Sequence, residues 1–294
     1  MSISQLQALL AAAAASGGAV NFSDPPVKAR ADFDAFLAGL PMPEGISVKT
    51  SQVGGVPGLR VAPSAGSDTI ATLYLHGGGY VAGNPQGYLG IIGGIAKASG
   101  HAVFAADYGL APERRFPGAV DDALACYRAL CDEVGGAANL VVAGDSAGGG
   151  LTLALLLAAR DAGLEQPAAA IVLSPWADLT NASNSMVDRA ERDPLLSRQQ
   201  LADAAREYLN GADPRSPLAS PALVDLRGLA PVTVHVGTEE VLYDDAARVA
   251  ASSGGTLRAW EGMVHDWSLF WFAVDEGAEL LASVGATIRK AINR

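Results

Sequence analysis

The sequence predicts an α/β fold in which a mostly parallel sheet carries helices on both faces. From about residue 70 onward, short apolar runs alternate with helix-length segments. Most of those runs are unbroken rather than alternating, which is the pattern of strands covered on both sides. Half of the 294 residues are hydrophobic and only 17% are charged, so there is apolar side chain for a large core and too little charge for disorder or a coiled coil.

The elements follow in order. Residues 1 to about 40 read as helical. Within them 8–15 form an unbroken apolar run, but the first basic residue is Lys28, so the charged start of a signal peptide is missing and an Ala-rich helix of the mature protein is expected. The pattern turns to β at about residue 46, with short runs at 46–49 and 58–61. Strands are then expected at 70–75, 102–106, 140–143, 169–173, 232–236 and 256–260, and helices at 89–99, 119–134, 151–162, 244–251 and 276–292. Residues from about 177 to 225 are polar, helical and Pro-containing, and fall outside the alternation. Together with residues 1–40 they are expected to form a cap over the sheet, so the whole chain, 1–294, reads as one catalytic domain with a cap.

Composition excludes several partners. Twenty basic against 31 acidic side chains give a net charge of −11, which lacks the basic footprint of a nucleic-acid or anionic-membrane binder. No apolar run reaches the ~18 residues of a membrane span. Cys126 and Cys131 match no zinc or haem spacing and read as free thiols of a reducing compartment, so a cytoplasmic protein is expected. No metal-ligand cluster is visible, and neither a metal nor a cofactor is expected. A homodimer through the last strand or the cap is compatible with the sequence.

The strongest chemical signal is Gly144-Asp145-Ser146-Ala147-Gly148, which follows one expected strand and precedes a helix. This is G-x-S-x-G in strand-turn-helix context. A serine on so sharp a turn is strained, and the residues two before and two after it are pressed together without room for a Cβ. Ser146 then projects at the carboxyl edge of the sheet, with a helix N-terminus behind it for a developing oxyanion. His76-Gly77-Gly78-Gly79-Tyr80 directly follows the strand at 70–75. Two of the three glycine N–H groups, with that of Ala147, are placed to hold a tetrahedral oxyanion. A phosphate cradle is the competing reading, but no Lys-Ser/Thr follows and the G-x-G-x-x-G spacing is absent.

A serine nucleophile needs a base, and the chain has four histidines. His235 sits inside an apolar strand, His101 precedes a strand on the side away from Ser146, and His76 belongs to the glycine motif. His265, in a loop just after the last expected strand, remains as the base. Its orienting carboxylate should lie between Ser146 and His265. Among the acids after the strand at 232–236, Asp244 and Asp245 read as the start of a helix, while spacing leaves Glu239 and Glu240 both open.

These motifs, with Asp107-Tyr108-Gly109-Leu110-Ala111-Pro112-Glu113 and Ser174-Pro175-Trp176-Ala177-Asp178-Leu179-Thr180, resemble the hormone-sensitive-lipase-like family of bacterial carboxylesterases over residues of about 70 to 270. The resemblance implies the α/β-hydrolase fold with a helical cap, and short-chain acyl esters as substrates. It implies Glu240 as the acid, because the family's acid stands first in a D-P-L-x-D or E-V-L-x-D segment and Glu240-Val241-Leu242-Tyr243-Asp244 is in that register. Two departures are visible. Gly109 stands where the family usually has Arg, which bears on a scaffold contact, and Glu replaces the commoner Asp in the triad.

The implied chemistry is acyl transfer. His265 takes the proton of Ser146, the serine attacks an ester carbonyl, and water later releases the acyl group. Activity should rise as His265 loses its proton, near ~6.5 unless the site shifts it. Tyr80, Trp176, Met186, Val264 and Trp267, with Phe270 and Trp271, are apolar residues expected around the site, or else ordinary core. Some similar enzymes open lactones, including those of monoterpenes, and the same machinery would serve. A dehalogenase or epoxide hydrolase of this fold would place Asp where Ser146 stands. A non-catalytic ligand-binding protein, as in resembling plant hormone receptors that lack the histidine, is disfavoured by His265.

Overall fold

In the computed structural model, described for residues 4–6, 8 and 20–293, eight strands form one sheet in the order β1-β2-β4-β3-β5-β6-β7-β8. They are β1 Ile46–Val53, β2 Val56–Pro63, β3 Ile70–Leu75, β4 Ala102–Ala106, β5 Val141–Asp145, β6 Ala169–Leu173, β7 Val232–Gly237 and β8 Thr256–Trp260. β2 pairs antiparallel with both β1 and β4, and every pairing from β4 to β8 is parallel. The helices are α1 Pro26–Ala38, α2 Leu89–Ser99, α3 Gly118–Val134, α4 Ser146–Asp161, the single turn α5 Ser185–Asp188, α6 Arg198–Leu209, α7 Tyr243–Ser253 and α8 Asp275–Ile292. The helix expected at 8–15 lies, beyond residue 8, outside the described residues.

Local signals account for the boundaries. Pro26 opens α1, where a missing N–H costs nothing. Gly100, Gly135 and Gly254 close α2, α3 and α7 in the left-handed conformation. Ser197 caps α6 by accepting the Gln200 N–H. α8 starts with Asp275 and Glu276 and ends with Arg289 and Lys290, matching the helix dipole at both ends. Strands β3 to β6 are buried along their whole length, as unbroken apolar runs require. The edges differ: β1 is polar and carries Lys49, and β8 is largely exposed.

The segment around Ser146 departs from its sequence reading. β5 runs on through Asp145, and α4 begins at Ser146 rather than near Leu151. Gly148, Gly149 and Gly150 are therefore the first turns of a buried helix, although by propensity they suggest a loop. Close approach is the reason. A Cβ on Gly148 would collide with the Leu75 and His76 carbonyls, and one on Gly150 with that of Trp176. Packing against β3 and the loop after β6 overrides the cost of glycine in a helix.

Strand order then positions the chemistry. β3, β5, β6, β7 and β8 are successive neighbours, and their carboxyl ends lead into His76, Ser146, Ser174, Glu240 and His265. Loops distant in sequence meet on one edge, where parallel sheets present their sites. Among the described residues, no helix is long and apolar enough to cross a membrane.

Candidate active site

Ser146 stands at φ 49°, a strained left-handed conformation for a non-glycine residue that costs of order 1–3 kcal/mol. The surroundings enforce it: a Cβ on Gly144 would meet the Gly148 and Leu75 carbonyls, so residues 144 and 148 can close around the turn only as glycines. The hydroxyl Oγ lies 3.0 Å from His265 Nε2, and His265 Nδ1 lies 3.3 Å from Glu240 Oε2. All three residues are buried.

Glu240 is fixed from its other oxygen. Oε1 accepts the Ser174 hydroxyl at 2.7 Å and the Gly237 N–H at 2.6 Å. Burial pushes the carboxyl upward, against the opposing pull of His265, Ser174 and Gly237. Glu239 turns outward to Arg192 at 3.2 Å. Asp245 is buried elsewhere, accepting the N–H groups of Ala177 and Asp178 and the Ser183 hydroxyl. For His265, burial works against the charged ring, but the carboxylates of Asp266 and Glu240 outweigh it and hold the imidazole well above its ordinary range.

The other histidines are elsewhere. His76 stacks on Tyr108 at 4.4 Å, pairs through Nδ1 with the Gly77 carbonyl, and burial lowers it to about 4. His235 accepts the Trp260 indole N–H at 3.1 Å, and burial with Arg258 nearby lowers it to about 3. His101 leads into β4 at the opposite end of the sheet.

Within the glycine loop the Gly77 N–H is committed to Asp145 Oδ1 at 3.1 Å, and Tyr74 donates to the same oxygen at 2.7 Å. Gly78 turns the loop at φ 113°, a conformation open to glycine alone. The N–H groups of Gly78 and Gly79 make no hydrogen bond among the described residues. Ala147 lies at the start of α4, where backbone N–H groups lack intrahelical partners.

A small cavity of about 60 Å³ opens onto Ser146 and His265. Gly78 and Asp266 complete its polar end, and its apolar walls include Phe22, Phe33, Phe36, Leu196, Leu269 and Phe270. A groove of about 480 Å³ along β6 to β8 is larger, but its lining holds neither histidine nor carboxylate. Tyr80, Trp176, Met186, Val264 and Trp267 are buried but do not line the cavity. Tyr80 stacks on Tyr208 at 4.0 Å, Trp176 donates to Asn181, and Trp267 packs on Trp260 at 5.0 Å. Phe270, also expected around the site, does line it beside Leu269, and the other walls come from α1, the segment before it and Leu195-Leu196 before α6. One signal existed: three of the seven phenylalanines fall between residues 22 and 36.

Fold and site together are those of a carboxylesterase built on the α/β-hydrolase scaffold. Residues 72–269 match the family described by the alpha/beta hydrolase fold. An acetyl-hydrolase of Streptomyces hygroscopicus is 44% identical over 232 residues, covering 77% of this chain and 78% of its own length. An ethyl acetate hydrolase of Pseudomonas putida is 33% identical over 228 residues, 73% of this chain and 71% of its own. The solved structure of the esterase EstE5 superposes with a TM-score of 0.88 at 39% identity, covering 92% of this chain and 93% of that one. An esterase from the bacterial hormone-sensitive lipase family gives 0.89 at 36% identity, with 92% of each chain covered. The chain belongs to this α/β-hydrolase family, among its hormone-sensitive-lipase-like esterases.

Proposed function

We propose that the protein hydrolyses short-chain acyl esters through a Ser146–His265–Glu240 triad. The observation that carries this is the line from Ser146 Oγ to His265 Nε2 to Glu240 at the end of a small apolar cavity. His265 takes the hydroxyl proton as Oγ attacks the ester carbonyl, while Glu240 fixes the ring and stabilises its cation. The developing oxyanion is held by Gly78, Gly79 and Ala147, since the Gly77 N–H already serves Asp145. Collapse passes the proton to the leaving alcohol, and water repeats the sequence on the acyl-enzyme. Residues 1–40 and about 177–225 are the cap of this reading; residues 1–3, 7 and 9–19 lie outside the described residues, and Val20, Phe22, Phe33, Phe36, Leu195 and Leu196 of the described part line the cavity.

The cavity supports a short acyl group, because it is small, about 60 Å³, and is walled by Phe22, Phe33, Phe36, Leu196, Leu269 and Phe270. Two relatives, an acetyl-hydrolase and an ethyl acetate hydrolase, point the same way. The test is a p-nitrophenyl ester series from acetyl to dodecanoyl, with Ser146→Ala beside the wild type. Activity confined to the shortest chains and lost in the variant is expected. Equal rates for wild type and variant would overturn the triad. Rates that climb with chain length would overturn the short-chain assignment, and a wild type inert to the series but active on lactones would move the substrate class to rings.

A further inference from the structure

His265 Nε2 has two acceptors within reach. Ser146 Oγ lies at 3.0 Å and Asp266 Oδ2 at 3.2 Å. A ring nitrogen carries either one hydrogen or one lone pair, so it serves one of these partners well at a time. The acyl-transfer scheme uses only the first. Asp266 is buried, at φ 47°, and it lines the cavity beside Ser146. Its second oxygen, Oδ1, is buried without a hydrogen-bond partner among the described residues. A carboxylate left so incompletely paired in an apolar cavity is costly unless its charge has a use.

We propose that Asp266 is a second carboxylate partner of the base, one that holds the Nε2 proton of the charged imidazole in the resting enzyme and so sets the pH above which His265 accepts the Ser146 proton. This rests on the assignment of His265 as base. Below that pH the Nε2–H donates to Asp266 and Ser146 has no acceptor for its proton. Above it Nε2 presents its lone pair, which repels the carboxylate and accepts from the serine hydroxyl. During attack the proton passes from Oγ to Nε2 as the Oγ–C bond forms, and the new imidazolium lies between Glu240 and Asp266. The proton then leaves with the alkoxide, and the ring is neutral again.

The other groups around the ring do not replace this role. Glu240 faces Nδ1, from the loop after β7. Asp145, at the end of β5, spends Oδ1 on Tyr74 and Gly77. Asp193, before α6, accepts the N–H groups of Val241, Leu195 and Leu196. Both feel the charge of His265 without bonding to its ring. The cavity lining includes no lysine or arginine. The raised affinity of His265 for its proton, with Asp266 first among the groups that raise it, agrees with the geometry.

The test follows the His265 imidazole by NMR in histidine-labelled protein, assigned with His265→Gln, together with the pH profile of kcat/KM for p-nitrophenyl acetate. In Asp266→Asn both midpoints should fall together by about one unit. One unit below the wild-type midpoint, the fraction of enzyme holding a neutral base then rises about five-fold. Asp266→Ser should move both midpoints the same way, and it carries the test if the Asn variant does not fold. Midpoints that stay in place or rise in the folded variants would overturn the proposal while leaving His265 as base. Activity retained by His265→Gln would overturn the underlying assignment and the proposal with it.

Discussion

Glu240→Gln removes one charge at almost constant shape, and the structure dictates which way the new amide must face. The Oε1 position receives two donors, the Ser174 hydroxyl and the Gly237 N–H. The serine hydroxyl can turn and accept, but a backbone N–H cannot. An amide NH₂ placed there would meet the Gly237 donor head on, so the amide oxygen takes that position and the NH₂ faces His265 Nδ1. Nδ1 must then accept, which moves the ring proton to Nε2, the nitrogen that has to be bare to receive the Ser146 proton. The wrong tautomer of a triad histidine costs about 10³–10⁴-fold in kcat, or about 4–5.5 kcal/mol of transition-state stabilisation. The assay is kcat for p-nitrophenyl acetate, with circular dichroism to confirm the fold and Glu239→Gln as control. Glu239 is salt-bridged to Arg192 away from the ring, so its variant should stay within about three-fold of wild type. A loss under about ten-fold in Glu240→Gln, or an equal loss in the control, would refute the assignment of Glu240 as the acid.

Two further outcomes concern the cavity and its support. Leu196→Ala should widen the apolar wall and shift the preferred ester to longer acyl chains. Each methylene newly accommodated is worth about 0.8 kcal/mol, roughly four-fold in kcat/KM, and an unchanged chain-length profile would remove Leu196 from the acyl site. Asp193→Ala should leave the N–H groups of Val241, Leu195 and Leu196 without their acceptor, destabilising the fold by about 2 kcal/mol or more. Thermal unfolding should show a midpoint lower by about 3 °C or more, and an unmoved midpoint would deny Asp193 this anchoring role.

The centre of the sheet was legible because β3 to β6 are buried on both faces, so each is a largely apolar run with little ambiguity of period. The strands at 70–75, 102–106, 169–173 and 256–260 have the expected limits. The polar end of the site was legible for a related reason. Parallel strands put their following loops on one edge, so the position of a serine, a glycine run and a histidine after successive strands already implies that they meet. The apolar walls were not legible in this way. Apart from Leu269 and Phe270 after β8, they come from α1 with the segment before it and the segment before α6, which lie outside the strand-helix alternation, and no periodicity says which face of such a segment turns toward the sheet edge. Aromatic residues near the motifs in sequence, such as Tyr80 and Trp176, are instead consumed by ring packing beneath the loops. Asp266 escaped notice because a carboxylate beside a histidine in a loop is ordinarily solvated, and only the left-handed turn at 266 brings it to Nε2.

Gly109, where the family usually has arginine, stands in a loop that supports both the glycine run beside Ser146 and the cavity wall. A Cβ on Gly109 would come within 2.5 Å of Arg114 Cδ, so Arg114 already fills the space beside the backbone at 109. Its guanidinium pairs with both oxygens of Asp122 on α3, at 2.8 and 3.1 Å, and Asp122 also accepts the Gly109 N–H at 2.9 Å. The loop after β4 is therefore anchored to Asp122 by the Gly109 N–H and by the Arg114 guanidinium. From that anchored loop Tyr108 donates to the His76 carbonyl at 2.6 Å, steadying the glycine run that faces Ser146. Ala111 and Glu113 hold Arg30 of α1, which also donates to the Val81 carbonyl at 2.7 Å, and Phe33 and Phe36 of the same helix form the cavity wall. The segment Asp107–Glu113 thus supports both the glycine run at 77–79 and the part of the cavity wall formed by α1.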